Sequence, residues 1–310
     1  MSHPVLAGTR LAAPERQKIF PIRDYDLAAT LTSGQAFRWR REKDSWVGVI
    51  GKHWVRLRSG NNSIIAETAE PVTRWNWLTE YLQIENDLNA VLASFPNDEP
   101  MRAAVAASPG LRLLRQHPWE CLASFILSST KQIVQIQQII KLLCERFGRS
   151  LPIPPGFAPS FSFPTPARLA DSIEAELRDC KMGFRAPYLL ATARIIASGQ
   201  LNLDRLNRLT LEQAREQLLQ LPGVGRKIAD CVLLFACGFQ TAFPIDVWVI
   251  KALRELYFPR RRVGLPKLQQ FAATHFGKNA GYAQQYLFHY RRVQTRRRTS
   301  HDSPLIANNQ

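Results

Sequence analysis

The pattern of apolar and polar positions is typical of β-strands in the first quarter of the chain. Strand-like apolar residues occupy 46–50 and 53–58, on either side of a glycine-containing turn, with apolar–polar alternation in the second of these arms, and they recur at 63–66. This period of two predicts an antiparallel hairpin with one buried face, followed by a further strand. The breaker-rich residues 1–18 are expected to form an irregular lead-in. Residues 74–95 are expected to form a helical region against the sheet.

From about residue 100 the apolar positions recur every three or four residues, which is the period of amphipathic helices. The predicted helices are 119–147, 169–180, 187–198, 211–221, 227–237, 247–257, 265–276 and 280–292. The proline-rich stretch 151–166 predicts a loop. We therefore expect an α+β protein with an N-terminal antiparallel β domain at 1–110, a mostly helical domain at 111–298, and a disordered tail at 299–310.

The net charge of the chain indicates which class of molecule it is expected to bind. Lysine and arginine number 41 against 25 acidic residues, which gives a net charge of +16. This balance favours a polyanion, and nucleic acid is a better candidate than a membrane surface because no basic amphipathic helix dominates. The alternative is a basic surface that serves only solubility.

The five cysteines are scattered, with no CxxC pair and no spacing with histidine that is typical of zinc or iron–sulfur ligation. Reduced thiols in an intracellular protein are the simplest interpretation. The amino terminus shows no secretory signal, and no stretch reaches transmembrane length. We expect no membrane association, with a cytoplasmic location at the nucleoid in a bacterium or a nuclear one in a eukaryote.

The segment 221–227, with the sequence LPGVGRK, interrupts two apolar helical patterns. Two glycines around one valine are unfavourable inside a helix but suit a tight turn between helices. The free amides at the start of the second helix, together with its dipole, are suited to binding a phosphate group. The sequence therefore predicts a helical hairpin that contacts a phosphate through Gly223, Val224 and Gly225.

Two side chains near this hairpin can divide the work of covalent catalysis. Lys227 lies in the first turn of the second predicted helix, and Asp246 precedes the apolar run 247–250. The amine can attack as a nucleophile, while the carboxylate stabilises developing positive charge. On position alone, a solvated helix lysine is the favoured interpretation of Lys227, and an N-cap is a reasonable interpretation of Asp246. Asp230 is the rival acid.

The run LPGVGRKIADC, followed at this distance by PIDV, resembles the helix-hairpin-helix DNA glycosylases that carry a Gly/Pro-rich loop and a terminal aspartate. The lysine and the cysteine are most similar to those of the 8-oxoguanine DNA glycosylase branch. Resemblance extends to four further segments in the family's order, at 33–39, 125–129, 182–186 and 281–284. It covers the chain from about the twenties to about residue 290.

The resemblance implies a base excision repair enzyme that is a bifunctional DNA N-glycosylase and abasic-site lyase. Lys227 would attack C1′ of a flipped 8-oxoguanine nucleotide, Asp246 would stabilise the sugar, and β-elimination would nick the strand. The residues implied for the damaged base are Cys231 and Phe288 on its faces, Gln284 at its Watson–Crick edge, and the Gly34 carbonyl at N7–H. Without the resemblance, Cys231 and Phe288 would be interpreted as core residues and Gly34 as a strand bulge.

The side chains implied for the opposite strand depart from the family's pattern. Phe184 matches the wedge and Arg185 matches one arginine that reads the orphaned cytosine. Thr130 stands where the family usually has asparagine, and Gln135 where it has arginine. Trp248 replaces the usual histidine near the phosphate. Recognition of the opposite base is therefore expected to differ from that of relatives with the full set.

The expected partner is double-stranded DNA containing 8-oxoguanine, bound by a monomer. No cofactor is required, although hairpin carbonyls could hold a monovalent cation beside a phosphate. One alternative is a monofunctional alkylated-base glycosylase, which would keep Asp246 but has no use for Lys227. A second alternative, from a different class, is a non-catalytic helix-hairpin-helix DNA-binding protein.

Overall fold

A computed structural model describes residues 13–128 and 131–301, with side chains to residue 295. Five strands form one antiparallel sheet in the order β1-β5-β4-β3-β2: β1 (Glu15–Pro21), β2 (Arg40–Glu42), β3 (Ser45–Ile50), β4 (His53–Gly60) and β5 (Ser63–Val72). The predicted hairpin is confirmed as β3 and β4, in which Trp46 faces Leu57. The predicted lead-in is wrong from residue 15 onward, because β1 pairs along β5 and occupies that edge of the sheet.

Both faces of the sheet are covered. Val55 and Leu57 are fully buried in an apolar cluster with the helix that follows the sheet. On the other face of β4, Trp54 packs edge-on against Phe157 of the proline-rich loop at 4.8 Å between ring centroids. Trp54 is thus an apolar residue on the face of β4 that otherwise carries Arg56 and Arg58, and its cover comes from a distant part of the sequence.

The helices, in chain order, are α1 (Leu27–Thr32), α2 (Asn76–Leu82), α3 (Leu88–Leu92), α4 (Glu99–Ala107), α5 (Pro118–Leu127), α6 (Ile133–Phe147), α7 (Pro166–Ala170), α8 (Glu174–Asp179), α9 (Ala186–Ala197), α10 (Leu211–Leu219), α11 (Arg226–Val232), α12 (Val247–Tyr257), α13 (Leu265–His275) and α14 (Ala280–His301). Side-chain N-caps start several of them: Asp26, Asp87, Asp98, Thr165, Thr210 and Asp246.

The predicted α+β class is confirmed, with differences in detail. The single helix expected at 119–147 is two helices, α5 and α6, which end and begin on either side of 128–132. The helix expected at 169–180 is likewise divided into α7 and α8. After α11 the backbone continues as a π-helical turn at Leu233–Cys237 and ends at Gly238. Such widened turns are frequent at functional sites.

The helical core extends across the predicted domain boundary at residue 110. Leu88, Val91, Met101 and Ala104, from α3 and α4, are buried with the helices that follow rather than with the sheet. The boundaries at 110 and 298 stay predictions. Helix α14 runs to His301, three residues into the predicted tail; residues 302–310 lie outside the described part of the chain.

Candidate active site

The hairpin between α10 and α11 has the form that its glycines predict. Gly223 has φ +76°, and a Cβ there would lie 2.8 Å from the Tyr188 Cβ, so both the conformation and the space require glycine. Gly225 is the extended N-cap of α11 and makes no side-chain cap. Gly223 and Gly225 are exposed, while Val224 is buried beneath them. The turn therefore presents backbone outward at the start of a helix.

Lys227 is the second residue of α11 and is half-buried at the wall of a cavity. Its Nζ lies 3.2 Å from the Ser128 Oγ and 5.0 Å from the centre of the Phe125 ring. Both partners come from the end of α5. A lysine held between a hydroxyl and an aromatic face is not a solvated surface lysine, so the structure argues against that alternative.

Asp246 lines the same cavity and also caps α12. Its Oδ1 accepts hydrogen bonds from the amides of Trp248 at 2.9 Å and Val249 at 2.8 Å. Burial raises the pKa of Asp246; the Val249 amide, the positive charge of Lys227, the Trp248 amide and Arg292 act in the opposite direction. The N-cap interpretation of Asp246 is therefore confirmed, and the cap fixes the carboxylate at the cavity that Lys227 also lines; its catalytic role stays a prediction.

Asp230, the rival acid, has a different setting. It is buried, and its Oδ1 accepts from the Arg215 Nε at 2.6 Å, while Arg215 also pairs with Glu212. Burial raises the pKa of Asp230, and Arg215 opposes this. Asp230 is not among the residues that line the cavity. Its environment is that of a buried ion pair between α10 and α11.

The cavity has a volume of about 800 Å³ and brings together residues from three parts of the chain. Its walls include all six residues expected for the lysine, the acid and the damaged base: Gly34, Lys227, Cys231, Asp246, Gln284 and Phe288. The volume falls in the range of small-ligand sites, which is about 300–1,000 Å³. The expected residues therefore share one concave site.

Gly34, in the loop after α1, lies next to Phe288 of α14. Gly34 has φ +84°, and a Cβ there would lie 3.2 Å from the Phe288 Cε1. The neighbouring Gln35 side chain is buried, donating to the Arg112 carbonyl and accepting from the Leu114 amide, each at 2.8 Å. Gln285 donates to the Ser33 carbonyl at 3.1 Å. The Gly34 loop is thus held rigidly against α14.

Cys231 and Gln284 supply different chemistry to the cavity. Cys231 is buried, and burial raises the pKa of its thiol to about 12, with Lys227 acting in the opposite direction. It is therefore a neutral thiol at physiological pH. Gln284 is 4% exposed, and its Oε1 has no hydrogen-bond partner among the described residues. A buried carbonyl without a partner indicates a ligand that donates to it.

Three of the residues expected for the opposite strand, Gln135, Phe184 and Arg185, are not part of the cavity lining. Phe184 is 57% exposed, and the guanidinium of Arg185 lies 4.2 Å from its ring centroid. Arg185 itself is buried, and desolvation lowers its pKa. Gln135 is exposed and its Oε1 accepts from the Gln132 amide at 3.1 Å, at the start of α6. Thr130 lies outside the described residues.

Two cations, Lys251 beside Trp248 and Arg292 beside Phe288, were not expected from the sequence. Trp248 lines the cavity, and the ammonium of Lys251 lies 5.5 Å from its ring centroid, so a cation stands near the position where the family usually has histidine. Arg292 also lines the cavity, next to Phe288. Its signal in the sequence is the spacing 284, 288 and 292, which places all three on one helix face.

Among the described residues, no cluster of His, Cys, Asp and Glu side chains could hold a metal ion. No helix of the described part is both long and apolar enough to span a membrane. The cavity wall itself presents an amine (Lys227), a carboxylate (Asp246), a thiol (Cys231) and an amide (Gln284).

Two family models match consecutive parts of the chain. The N-terminal domain of 8-oxoguanine DNA glycosylase matches residues 19–122, and the HhH-GPD superfamily of base excision DNA repair proteins matches residues 123–273. The first match contains the sheet from residue 19 onward and Gly34; the second contains the hairpin, Lys227 and Asp246. The resemblance inferred from the sequence is confirmed.

Relatives and solved structures match over most of their length. A probable N-glycosylase/DNA lyase of Methanothermobacter thermautotrophicus is 29% identical over 301 residues, covering 88% of this chain and 95% of the relative. An N-glycosylase/DNA lyase of Saccharomyces cerevisiae is 30% identical over 312 residues, covering 84% and 82%. The 8-oxoguanine glycosylase/lyase of Clostridium acetobutylicum, solved with double-stranded DNA that has cytosine opposite 8-oxoguanine, has a TM-score of 0.85 at 29% identity, covering 93% and 100%.

The sheet, the helical hairpin and the cavity therefore agree with the matches in both halves of the chain. This chain belongs to the 8-oxoguanine DNA glycosylase family of the HhH-GPD superfamily and is a base excision DNA repair enzyme, a bifunctional N-glycosylase and DNA lyase.

Proposed function

We propose that this enzyme excises 8-oxoguanine from duplex DNA, with Lys227 as the nucleophile. The observation that carries the proposal is the shared cavity, in which the Lys227 amine, the Asp246 carboxylate and the unpartnered Gln284 carbonyl oxygen line the same walls. A lysine nucleophile, a fixed carboxylate and an amide that reads a base are the parts that excision requires.

In the proposed reaction the target nucleotide leaves the helix and its base enters the cavity. The neutral amine of Lys227 attacks C1′ as the bond between C1′ and N9 breaks, and the base departs with the bonding electrons and takes up a proton. Asp246 stabilises the positive charge that develops on the sugar. The amine then loses its proton, the sugar ring opens to a Schiff base, and loss of a C2′ proton expels the 3′ phosphate.

The base would lie between Cys231 and Phe288, with its Watson–Crick edge towards Gln284. The Gly34 carbonyl would accept the N7–H of 8-oxoguanine. Guanine has a lone pair at N7 and no hydrogen, so it would face this carbonyl with two acceptors in contact. A site whose buried acceptor is matched to one hydrogen of the ligand rejects a base that lacks this hydrogen, because the acceptor is then left without a partner.

For the DNA itself, we propose that Gly223, Val224 and Gly225 bind a phosphate through main-chain amides and that Trp248 lies beside another. Phe184 would fill the space left by the flipped nucleotide, with Arg185 facing the orphaned base. The proposed steps use only groups of this chain, and a monovalent cation at the hairpin would support the phosphate contact. We also propose that a monomer suffices, acting at the nucleoid in a bacterium or in the nucleus of a eukaryote.

The alternative of a monofunctional alkylated-base glycosylase leaves Lys227 without a role. Such an enzyme activates water, so it gains nothing from a lysine that Phe125 and Ser128 hold at the cavity wall. A non-catalytic DNA-binding module would likewise not need the buried Gln284 carbonyl or the cavity.

The test is release of free base from three duplexes that contain 8-oxoguanine, guanine or 3-methyladenine at one position. We expect release of 8-oxoguanine alone by the wild type, and none by Lys227→Gln. Lys267→Gln is the matched control, since Lys267 is an exposed lysine of α13 that does not line the cavity. Release of 3-methyladenine in preference to 8-oxoguanine, or full activity of Lys227→Gln, would overturn the proposal.

A further inference from the structure

Arg292, from α14, is a further cation at the cavity. Its guanidinium lies 5.3 Å from the centroid of the Phe288 ring, and its Nη1 donates to the Thr32 carbonyl at 3.4 Å. A Cβ at Gly34 would lie 3.1 Å from the same Nη1. The guanidinium therefore lies at the contact between the Gly34 loop and α14.

This position places a fixed positive charge on the wall that also holds Asp246. The charge of Arg292 opposes the effect of burial on the pKa of Asp246. Within the described part of the chain, Lys227 and Cys231 of α11 also interact with Asp246, and Cys231 is a neutral thiol. Lys131 lines the same cavity.

The two cations differ in what they do during the proposed reaction. Lys227 must be neutral in order to attack C1′. At that moment it no longer stabilises the negative charge of Asp246, although the developing positive charge on the sugar requires that carboxylate. An arginine keeps its charge at any physiological pH. Unlike Lys227, Arg292 can therefore support Asp246 throughout the reaction.

We propose that Arg292 is a positioning residue for excision, which sustains the negative charge of Asp246 while Phe288 and the Thr32 carbonyl hold its guanidinium in place. This inference rests on the proposed function for its meaning in catalysis. Its physical content, a charge interaction between Arg292 and Asp246, can be measured on the protein alone.

The first measurement is an NMR titration of protein labelled with ¹³C at aspartate carboxyl groups, in which the Asp246 signal is assigned by its absence from Asp246→Asn. In Arg292→Gln we expect the Asp246 titration to move up by about half to one pH unit, because an opposite charge nearby has been removed. Arg292→Lys should restore most of the wild-type value, since it keeps the charge.

Arg291→Gln is the matched control. It removes the same charge from the adjacent position of α14, where Arg291 pairs with Glu255 at 2.8 Å, and should leave the Asp246 titration unchanged. An equal shift in Arg291→Gln would mean a general effect of net charge, and no shift in Arg292→Gln would mean no interaction. Either result overturns the inference.

The second measurement is a double-mutant cycle on single-turnover excision of 8-oxoguanine, at a pH where the wild-type rate falls on acidification. Arg292→Gln should slow excision about three- to tenfold, which corresponds to the expected shift in titration. In an Asp246→Asn background the same substitution should change the rate less than about twofold, because no charge remains to support. A loss of equal size in both backgrounds would show that Arg292 acts only on structure, and would overturn the inference.

The two measurements separate the inference from the proposed function. Failure of the wild type to release 8-oxoguanine would refute the proposed function, and the titration would still decide whether Arg292 supports Asp246. A wild type that excises normally, with an Asp246 titration indifferent to Arg292, would refute the inference alone.

Discussion

The Nζ of Lys227 lies 3.2 Å from the Oγ of Ser128, and that hydroxyl donates its own hydrogen to the Phe125 carbonyl at 2.7 Å. The lone pairs of Ser128 are thus left to accept from the amine. Ser128 is the C-cap of α5, so the position of the lysine is set by the end of a buried helix rather than by a mobile loop. A nucleophile fixed in this way needs little reorganisation before attack.

Ser128→Ala should slow single-turnover excision of 8-oxoguanine about two- to tenfold, because one hydrogen bond that fixes the amine is lost. Ser198→Ala is a matched control. Ser198 caps α9 and donates to the Ile195 carbonyl at 3.0 Å in the same way, but it does not line the cavity. A loss of equal size in Ser198→Ala would point to helix stability instead of lysine placement.

Gly34→Ala should remove lesion recognition. A Cβ would meet Phe288 and Arg292 at 3.1–3.2 Å, and φ +84° is strained for alanine by about 1–2 kcal/mol. Gly51→Ala carries a comparable backbone cost at φ +57°, but nothing lies within 4 Å of its Cβ. Urea unfolding should show similar destabilisation in both variants, with excision lost only in Gly34→Ala. Equal excision by the two variants would show that the close approach at Gly34 has no role in recognition.

Asp246→Asn should separate stability from activity. Burial raises the pKa of Asp246, so folding favours its protonated form. The stability contributed by this preference is present below the unfolded-state pKa, about 3.9, and is lost as pH rises through the raised folded-state pKa. Asparagine still caps α12 without the buried charge, so at pH 7 Asp246→Asn should unfold at the same or a higher temperature than the wild type while excising slowly. A variant that is less stable at pH 7, or one that excises at the wild-type rate, would contradict this assignment.

Much of this site could be predicted from the sequence, since glycines, a cap and helical periods are local signals. The positions of Lys227, Asp246, Cys231 and Gln284 on one cavity followed from a resemblance, and the structure brings them together. The place of Arg292 at the cavity could not be predicted from local sequence signals, because its contact with the Thr32 carbonyl joins residues 260 positions apart.

The sheet also contains a strand that local sequence signals do not predict in full. The start of strand β1 was not predicted because the strand has few apolar residues, and Phe20 is its one buried residue. Its place is decided by pairing with β5, which lies far along the chain. The prediction of one helix at 119–147 is another case, because it passed over the five polar residues at 128–132, which separate the end of α5 at Leu127 from the start of α6 at Ile133.

Gln135 gives a prediction about the opposite base. Its side chain is exposed and engaged at the start of α6, and an uncharged amide can donate or accept. We expect excision of 8-oxoguanine opposite cytosine with weaker rejection of other partners than in relatives that have arginine there. Gln135→Arg should raise the preference for cytosine about five- to a hundredfold in single-turnover assays on four duplexes that differ only in the opposite base. Strong wild-type preference for cytosine that the substitution leaves unchanged would mean that Arg185 and the surrounding shape suffice.

Covalent trapping tests the central claim, that the amine of Lys227 attacks C1′, most directly. Wild-type enzyme incubated with an 8-oxoguanine duplex and borohydride should yield a stable protein–DNA adduct, and digestion should place the modification on the peptide that contains Lys227. Lys227→Gln should bind the duplex and give no adduct, while Lys267→Gln should trap as the wild type does. An adduct of wild-type yield in Lys227→Gln, or a modification mapped to Lys131 or another amine, would contradict the account.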